Sequence, residues 1–168
     1  MAAAYVVRKA ALLFSATALT ACFAPPPSTT GYSLFVSPDF STDEASDVLA
    51  AASQWTGAIP TLSLSPAIAR CPDPRPDATI CVEPGPDGAA PANILGATTY
   101  RGSYGGTSTL YVTHVAGFGL PLQGTALHEL GHAMGLTHHP AGNVMAATEN
   151  EQAQAPTTDD VQQWRATR

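Results

Sequence analysis

The chain has 168 residues, of which 45% are hydrophobic, and its formal net charge is −6 at neutral pH. This length leaves room for one domain. The acidic balance argues against nucleic acids or anionic lipid surfaces as partners, because both carry negative charge.

The first residues have the pattern of an export signal. A charged pair at residues 8–9 precedes an apolar run over residues 10–19, which is too short to cross a bilayer as a mature helix. Residues 19–22 read Leu-Thr-Ala-Cys, which resembles the lipobox of bacterial lipoproteins, whose cysteine is lipidated and becomes the first mature residue. The sequence therefore predicts a signal peptide over residues 1–21 and a lipidated Cys22.

The alternative is an ordinary secretory signal that is cleaved after Ala21 or Ala24. A lipoprotein is favoured because a small residue directly precedes Cys22, and because Cys22 would otherwise be an unpaired third cysteine. Residues 22–30 comprise this cysteine and an uncharged, proline-rich spacer that would hold a domain over residues 31–168 away from a membrane. We therefore expect an exported protein of the bacterial cell envelope, lipid-anchored at the outer membrane or cell surface, or released from it. Without the signal, the chain has five arginines and thirteen acidic residues, which gives a net charge of −8.

The rest of the chain alternates between strand and helix patterns, which predicts an α+β fold. Apolar or alternating runs predict strands at residues 32–36, 62–65, 78–83, 93–100 and 107–115. Ser41 and Glu44 have the spacing of a capping box, which predicts a helix that ends near Gly57. Two later helices are predicted to begin near Thr125 and at Thr157 or Thr158.

Cys71 and Cys81 form an even pair in an exported chain, which predicts a disulfide. A bond that closes so short an interval would contribute about 3 kcal/mol by the loop-entropy estimate. Acidic side chains in or beside nearby loops could bind calcium, and these are Asp73, Asp77, Glu83 and Asp87. They match no spaced calcium loop, so a solvated role is favoured.

Residues 128–138 read His-Glu-Leu-Gly-His-Ala-Met-Gly-Leu-Thr-His, which matches H-E-x-x-H-x-x-G-x-x-H at every fixed position. His128 and His132 lie one turn apart on one helix face and can bind the same metal ion. Gly135 can adopt the left-handed conformation that ends a helix, so that the chain turns back and His138 becomes a third ligand. Three histidines leave the fourth position of a tetrahedral zinc ion open for water, which is typical of a catalytic site.

Glu129 follows the first of these histidines and can reach a metal-bound water without being a ligand. Zinc lowers the pKa of such a water, so Glu129 would act as the general base and pass the proton to the departing amine. The alternative is an amphipathic helix whose histidines are ordinary surface or core residues. Gly131, within the motif, is explained equally well by close packing against neighbouring backbone near the metal or by simple tolerance of a glycine.

Residues 128–145 together resemble the metzincin clan of zinc metallopeptidases, and most of all the matrixins. In that clan the long zinc motif precedes a tight turn that carries a methionine beneath the metal, and Met145 is the matching residue. The resemblance extends over most of the chain from about residue 31, although only residues 128–145 are specific. The gap from His138 to Met145 is short, and no tyrosine follows Met145 to act as the tyrosine ligand of some metzincins.

The resemblance implies a twisted, mixed five-stranded sheet with two helices behind it and a C-terminal helix. It also implies one catalytic Zn²⁺ ion and hydrolysis of peptide bonds in a protein or peptide substrate. The fourth strand would be the sheet edge to which an extended substrate adds. The residues assigned to this edge are Ile94, Leu95, Gly96, Ala97 and Thr98. We expect a monomer that meets a membrane only through its lipid anchor.

Other interpretations remain open at this point. Residues 70–73 faintly resemble the cysteine switch of matrixin propeptides, although they lie after the first helix and Cys71 has a partner cysteine nearby. A non-catalytic, envelope-tethered binding or adhesion lipoprotein could retain a zinc-bound metzincin fold, but it could lose Glu129 at no cost. A zinc hydrolase acting on a non-peptide amide is a third possibility. His139 is expected to point away from the metal, and His114 to be a structural or surface residue at the end of a strand.

Overall fold

The computed structural model describes residues 31–86, 94–100, 105–148 and 152–168. The predicted signal peptide, the lipidation site Cys22 and the spacer lie outside the described residues, as do Asp87 and Asn93. In the part of the chain that is described, no helix is long and apolar enough to cross a membrane.

The described residues form five strands and four helices, which confirms the mixed α+β class. The strands are β1 (Gly31–Val36), β2 (Ser63–Ile68), β3 (Thr79–Pro84), β4 (Gly96–Tyr100) and β5 (Gly105–Leu110). The helices are α1 (Thr42–Ala58), α2 (Val112–Gly117), α3 (Leu122–Ala133) and α4 (Thr158–Ala166).

The five strands form one mixed sheet in the order β2-β1-β3-β5-β4. β1 is parallel to both β2 and β3, and β3 is parallel to β5. β4 runs antiparallel to β5, with Thr98 opposite Ser108. The predicted five-stranded mixed sheet is therefore confirmed, and β4 lies at one of its edges.

Helix α1 packs against α3 to form the core beside the sheet. Its start is the predicted capping box: Ser41 N donates to Glu44 Oε2 at 2.7 Å, and Glu44 N donates to Ser41 Oγ at 3.3 Å. Trp55 is fully buried and its indole N–H donates to the carbonyl oxygen of Leu127 at 2.9 Å. This bond connects α1 directly to α3, because Leu127 lies in that helix.

The fifth strand was predicted over residues 107–115, and this prediction is wrong for residues 111–115. β5 ends at Leu110, which is the last residue in register with both Pro84 of β3 and Gly96 of β4. After one last bond, from Tyr111 N to the carbonyl oxygen of Leu95 at 2.9 Å, the chain leaves the sheet and forms α2, whose Val115 is buried. The β-branched residues there had suggested a strand, but tertiary packing overrides that propensity.

Three other predicted boundaries differ from the observed ones. β2 continues through Pro66, which an edge strand tolerates because its missing N–H can face away from the sheet. β4 begins at Gly96, so Ile94 and Leu95 precede the strand. α3 begins three residues before Thr125, with Pro121 at the N-cap position, so Thr125 is a helix residue and not its cap.

Cys71 and Cys81 form the predicted disulfide, with their Cα atoms 5.7 Å apart. Cys81 is a fully buried residue of β3, and Cys71 lies in the loop after β2. The bond occupies the thiol that the cysteine-switch interpretation requires, so Cys71 does not act as a zinc ligand in this structure.

Candidate metal centre

Helix α3 carries His128, Glu129 and His132, the first three fixed residues of the motif, and is buried along most of its length. It ends at Ala133, and Gly135 adopts a φ of +91°, as the sequence predicted. The N–H of Leu136 donates back to the carbonyl oxygen of Gly131 at 3.0 Å, which closes the helix end. This turn reverses the chain and brings His138 to the face of α3 that presents His132.

The structure brings the three predicted ligands together. One ring nitrogen from each of His128, His132 and His138 lies within 4.8 Å of the others. The Nε2 atoms of His132 and His138 are 3.2 Å apart. Among the described residues, this trio is the cluster that could hold a metal ion, and Glu129 lines the same cleft as all three histidines.

Backbone carbonyls fix the orientation of two of the rings. His128 Nδ1 donates to the carbonyl oxygen of Val144 at 2.8 Å, and His132 Nδ1 donates to that of Leu136 at 2.9 Å. With the proton held on Nδ1, each Nε2 presents a lone pair towards the cluster, which is the tautomer that binds a metal. The donor set therefore fits a zinc ion on its own geometry and chemistry.

Burial keeps these imidazoles neutral. It lowers the pKa of His128 from 6.5 to about 4, against the opposing effect of the hydrogen bond to Val144. Burial also lowers the pKa of His132, and the neighbouring His138 adds to the effect. At neutral pH both rings are therefore in the unprotonated form that metal binding requires.

The side chain of Glu129 lies against the edge strand β4. The residue is buried, with only 5% of its surface exposed. The hydroxyl of Thr98 donates to its Oε2 at 2.6 Å. Gly96 of the same strand leaves the space that the carboxylate occupies, because a Cβ there would lie 2.6 Å from Glu129 Cγ.

A cleft of about 520 Å³ opens over this cluster. All five residues assigned to the substrate edge line it, and these are Ile94, Leu95, Gly96, Ala97 and Thr98. Tyr100 lines the same cleft from the end of β4, and burial, with Glu129 nearby, raises the pKa of its phenol. Ala147, Thr148 and Gln152 also line the cleft. Gln152 was not predicted as a cleft residue; its amide donates to the carbonyl oxygen of Ala146 at 3.2 Å.

Met145 lies fully buried in the turn after the third histidine. A Cβ added to Gly131 would overlap Met145 Sδ and come within 3.1 Å of Trp55 Cζ2. Gly131 is thus closely packed, although against the side chains of Met145 and Trp55 and not against neighbouring backbone as predicted, and an added Cβ would force Met145 to shift.

Asp160 is a residue of this region that the sequence did not point to. Its carboxylate is fully buried and accepts hydrogen bonds from Val144 N at 3.1 Å and Met145 N at 3.3 Å. It also caps α4 by accepting from Thr157 N at 2.8 Å. The Thr-x-x-Asp spacing could have predicted this cap, but not the contact with the methionine turn.

The two remaining histidines lie outside the cluster. His139 N donates to the carbonyl oxygen of Met145 at 2.8 Å, so its backbone supports the turn. His114 belongs to α2, so its predicted place at a strand end is wrong. Its Nδ1 lies 3.3 Å from the carbonyl oxygen of Ile94.

Comparison with known proteins agrees with this chemistry. A family model described as Peptidase M66 matches residues 92–161, which include the edge strand, the three histidines and the methionine turn. No curated protein matches the chain. The family match and the histidine cluster together support a zinc metallopeptidase family for this chain.

Proposed function

We propose that the protein is a zinc-dependent endopeptidase of the metzincin type, with a matrixin-like catalytic domain. The observation that carries this proposal is the cluster of three histidines beside Glu129. Two of its rings are held by backbone carbonyls in the metal-binding tautomer, and the cluster lies at the base of a cleft beside a sheet edge.

Each group has a distinct part in the proposed reaction. A zinc ion held by His128, His132 and His138 would supply an acidified water and polarise the substrate carbonyl. Glu129 accepts a proton from the attacking water and delivers it to the departing amine. An extended peptide adds to the outer edge of β4 through main-chain hydrogen bonds, which orient the scissile bond over Glu129 without selecting a sequence.

The assignment is tested by comparing Glu129→Ala with His132→Ala. Glu129→Ala should keep its zinc, because Glu129 lies outside the histidine cluster, and should lower turnover by about 10²–10⁴-fold, the range for loss of a general base. His132→Ala should lose both zinc and activity. His114→Ala, which removes a histidine outside the cluster, is the matched control for metal binding and should keep its zinc.

Metal analysis and cleavage of a peptide library, run on one preparation of each variant, measure both quantities. A Glu129→Ala protein that lost its zinc, or that kept wild-type turnover, would contradict the mechanism. Digestion of a denatured protein mixture by the wild type separates a peptidase from a hydrolase of non-peptide amides. Zinc bound with no hydrolysis of either would favour the binding lipoprotein instead.

We also propose that the protein is exported and tethered through Cys22. The lipobox-like residues 19–22 and the proline-rich spacer support this, and a disulfide is typical of exported proteins. Mass spectrometry of the mature N-terminus should find an acylated Cys22. A mature chain that begins at an unmodified Cys22, or at Pro25, would refute the lipid anchor.

A further inference from the structure

We propose that Thr98 is a positioning residue that holds the carboxylate of Glu129 against the edge strand. The inference rests on the proposed function, in which Glu129 is the general base. β4 then has two roles, since its outer edge pairs with substrate while its inner face keeps the base in place.

The hydroxyl of Thr98 has three acceptors within reach but only one proton to donate. Its oxygen lies 2.6 Å from Glu129 Oε2, 3.1 Å from the Glu129 carbonyl oxygen and 3.0 Å from Ser108 Oγ. The shortest of these contacts is to the charged oxygen, which is also the strongest acceptor. The proton of Thr98 is therefore assigned to the carboxylate.

Ser108 completes a chain of hydroxyls that ends at the base. It lies directly opposite Thr98 in the register of β4 and β5, and its side chain is fully buried. Its oxygen is 3.0 Å from that of Thr98 and 3.3 Å from the carbonyl oxygen of Glu129. When Ser108 donates to Thr98, the Thr98 hydroxyl is oriented with its own proton towards Glu129.

The empty space at Gly96 is an independent observation for the same inference. Side chains alternate along a strand, so Gly96 and Thr98 lie on the same face. A Cβ at Gly96 would come 2.6 Å from Glu129 Cγ, 2.8 Å from Oε1 and 2.9 Å from Cδ. The carboxylate thus lies directly on the backbone of β4 and is bonded by Thr98 two residues further along.

This arrangement matters because a glutamate side chain otherwise rotates freely about its terminal bonds. Proton transfer requires the carboxylate to be within hydrogen-bond reach of the proton, and small displacements of a catalytic group reduce the rate strongly. Thr98 and Gly96 restrict the carboxylate to one position on β4 before any substrate arrives. Their effect should therefore fall on turnover and not on substrate binding.

Thr98→Val tests this directly, because it replaces the hydroxyl with a methyl group and keeps the branched shape that suits a strand. We expect kcat on a fluorogenic peptide, chosen from the cleaved library, to fall about 10- to 100-fold. KM should change less than twofold and zinc content should stay the same. Thr98→Ser restores the hydroxyl and should recover most of kcat.

Thr107→Val is the matched control. Thr107 precedes Ser108 on β5, so its side chain lies on the opposite face of the sheet, and its loss of a hydroxyl should leave kcat unchanged. Gly96→Ala tests the second contact and should also lower kcat, because its Cβ displaces Glu129. Unchanged kcat in Thr98→Val, or a Thr98→Ser protein as slow as Thr98→Val, would overturn the proposal.

A readout without catalysis separates this inference from the proposed function. Crystal structures of the metal-free wild type and Thr98→Val should show the Glu129 carboxylate on β4 in the first and displaced from it in the second. If the wild type cleaves no peptide, the proposed function fails, but the displacement still supports the positioning role. A carboxylate that stays on β4 in Thr98→Val refutes that role, whatever the activity.

Discussion

Asp160 connects the last helix to the methionine turn, and its replacement by asparagine should destabilise both. The carboxylate is fully buried, with Oδ2 accepting from the N–H groups of Val144 and Thr157 and Oδ1 accepting from Met145 N. Asp160→Asn keeps the shape of the side chain but removes its charge. It also replaces one of the two acceptor oxygens with a donor.

Thr157 Oγ1 also lies 2.8 Å from Oδ2, but its single proton can be donated to Asn143 Oδ1 instead, so the cost is worked out from the three backbone N–H bonds. The least damaging orientation of the amide keeps its oxygen at the position of Oδ2 and turns its NH₂ group towards Met145 N. One buried N–H then loses its acceptor, at about 1–3 kcal/mol, and two further bonds change from charged to neutral acceptors, at roughly 0.5–1 kcal/mol each. We expect the free energy of unfolding to fall by about 3 kcal/mol.

The same substitution should weaken metal binding. The carbonyl of Val144 accepts the hydrogen bond that orients His128, so a looser turn orients this imidazole less well. Loss of such an outer partner typically lowers metal affinity about 10- to 100-fold. Competition with a zinc chelator measures this effect, and urea denaturation of the metal-free protein measures the stability.

Asp159→Asn is the control, because Asp159 is the exposed neighbour on the same helical turn and its substitution removes the same charge. Asp159→Asn should lower the free energy of unfolding by only about 0.3–1 kcal/mol, because it removes one favourable interaction with the helix dipole. If Asp160→Asn were no more destabilising than Asp159→Asn, the assigned hydrogen bonds would not stabilise the fold, and the reasoning would be refuted.

Three further predictions concern the histidine cluster and its support. In the metal-free protein the free energy of unfolding should fall as pH drops from about 6.5 to about 4, because burial lowers the pKa of His128 to about 4 and the unfolded chain takes up the proton first. The loss is on the order of 3 kcal/mol in urea titrations, and His128→Gln should reduce it; an equal loss in that variant would contradict the assignment. Gly131→Ala should lower the melting temperature, since an overpacking cost of about 1–3 kcal/mol against Met145 and Trp55 exceeds the roughly 1 kcal/mol gain in helix propensity. Met145→Leu nearly conserves volume, so it should cost under about 1.5 kcal/mol and keep most peptidase activity; loss of zinc from that variant would show a larger role for the sulfur.

Local patterns in the sequence were sufficient for several features of this protein. The spacing of His128, His132 and His138 predicted the ligand cluster, since helix periodicity and a glycine at position 135 determine where those side chains can point. The capping box at Ser41 was also predicted, because it depends on residues only three apart. The Cys71–Cys81 bond was predicted because the two cysteines after the signal form an even pair in a chain that is expected to be exported.

Features that depend on contacts between distant segments could not be predicted in this way. Val112–Gly117 has the composition of a strand but forms a helix that buries Val115, because tertiary packing overrides strand propensity there. The boundary of α3 at Leu122 likewise reflects burial against the core and not a capping residue.

The same distinction between local spacing and distant contacts applies to the candidate site. The sequence by itself determined which residues can bind the metal and which can move a proton, because those roles depend on residue type and on spacing within one helix and turn. Only the tertiary structure decided how they are held: Glu129 on the face of β4, through Thr98 thirty-one positions away, and His128 through the turn that Asp160 stabilises. Hydrogen bonds between segments so far apart leave no periodic trace in a sequence, since either partner could satisfy its hydrogen bonds elsewhere until the fold brings the two together.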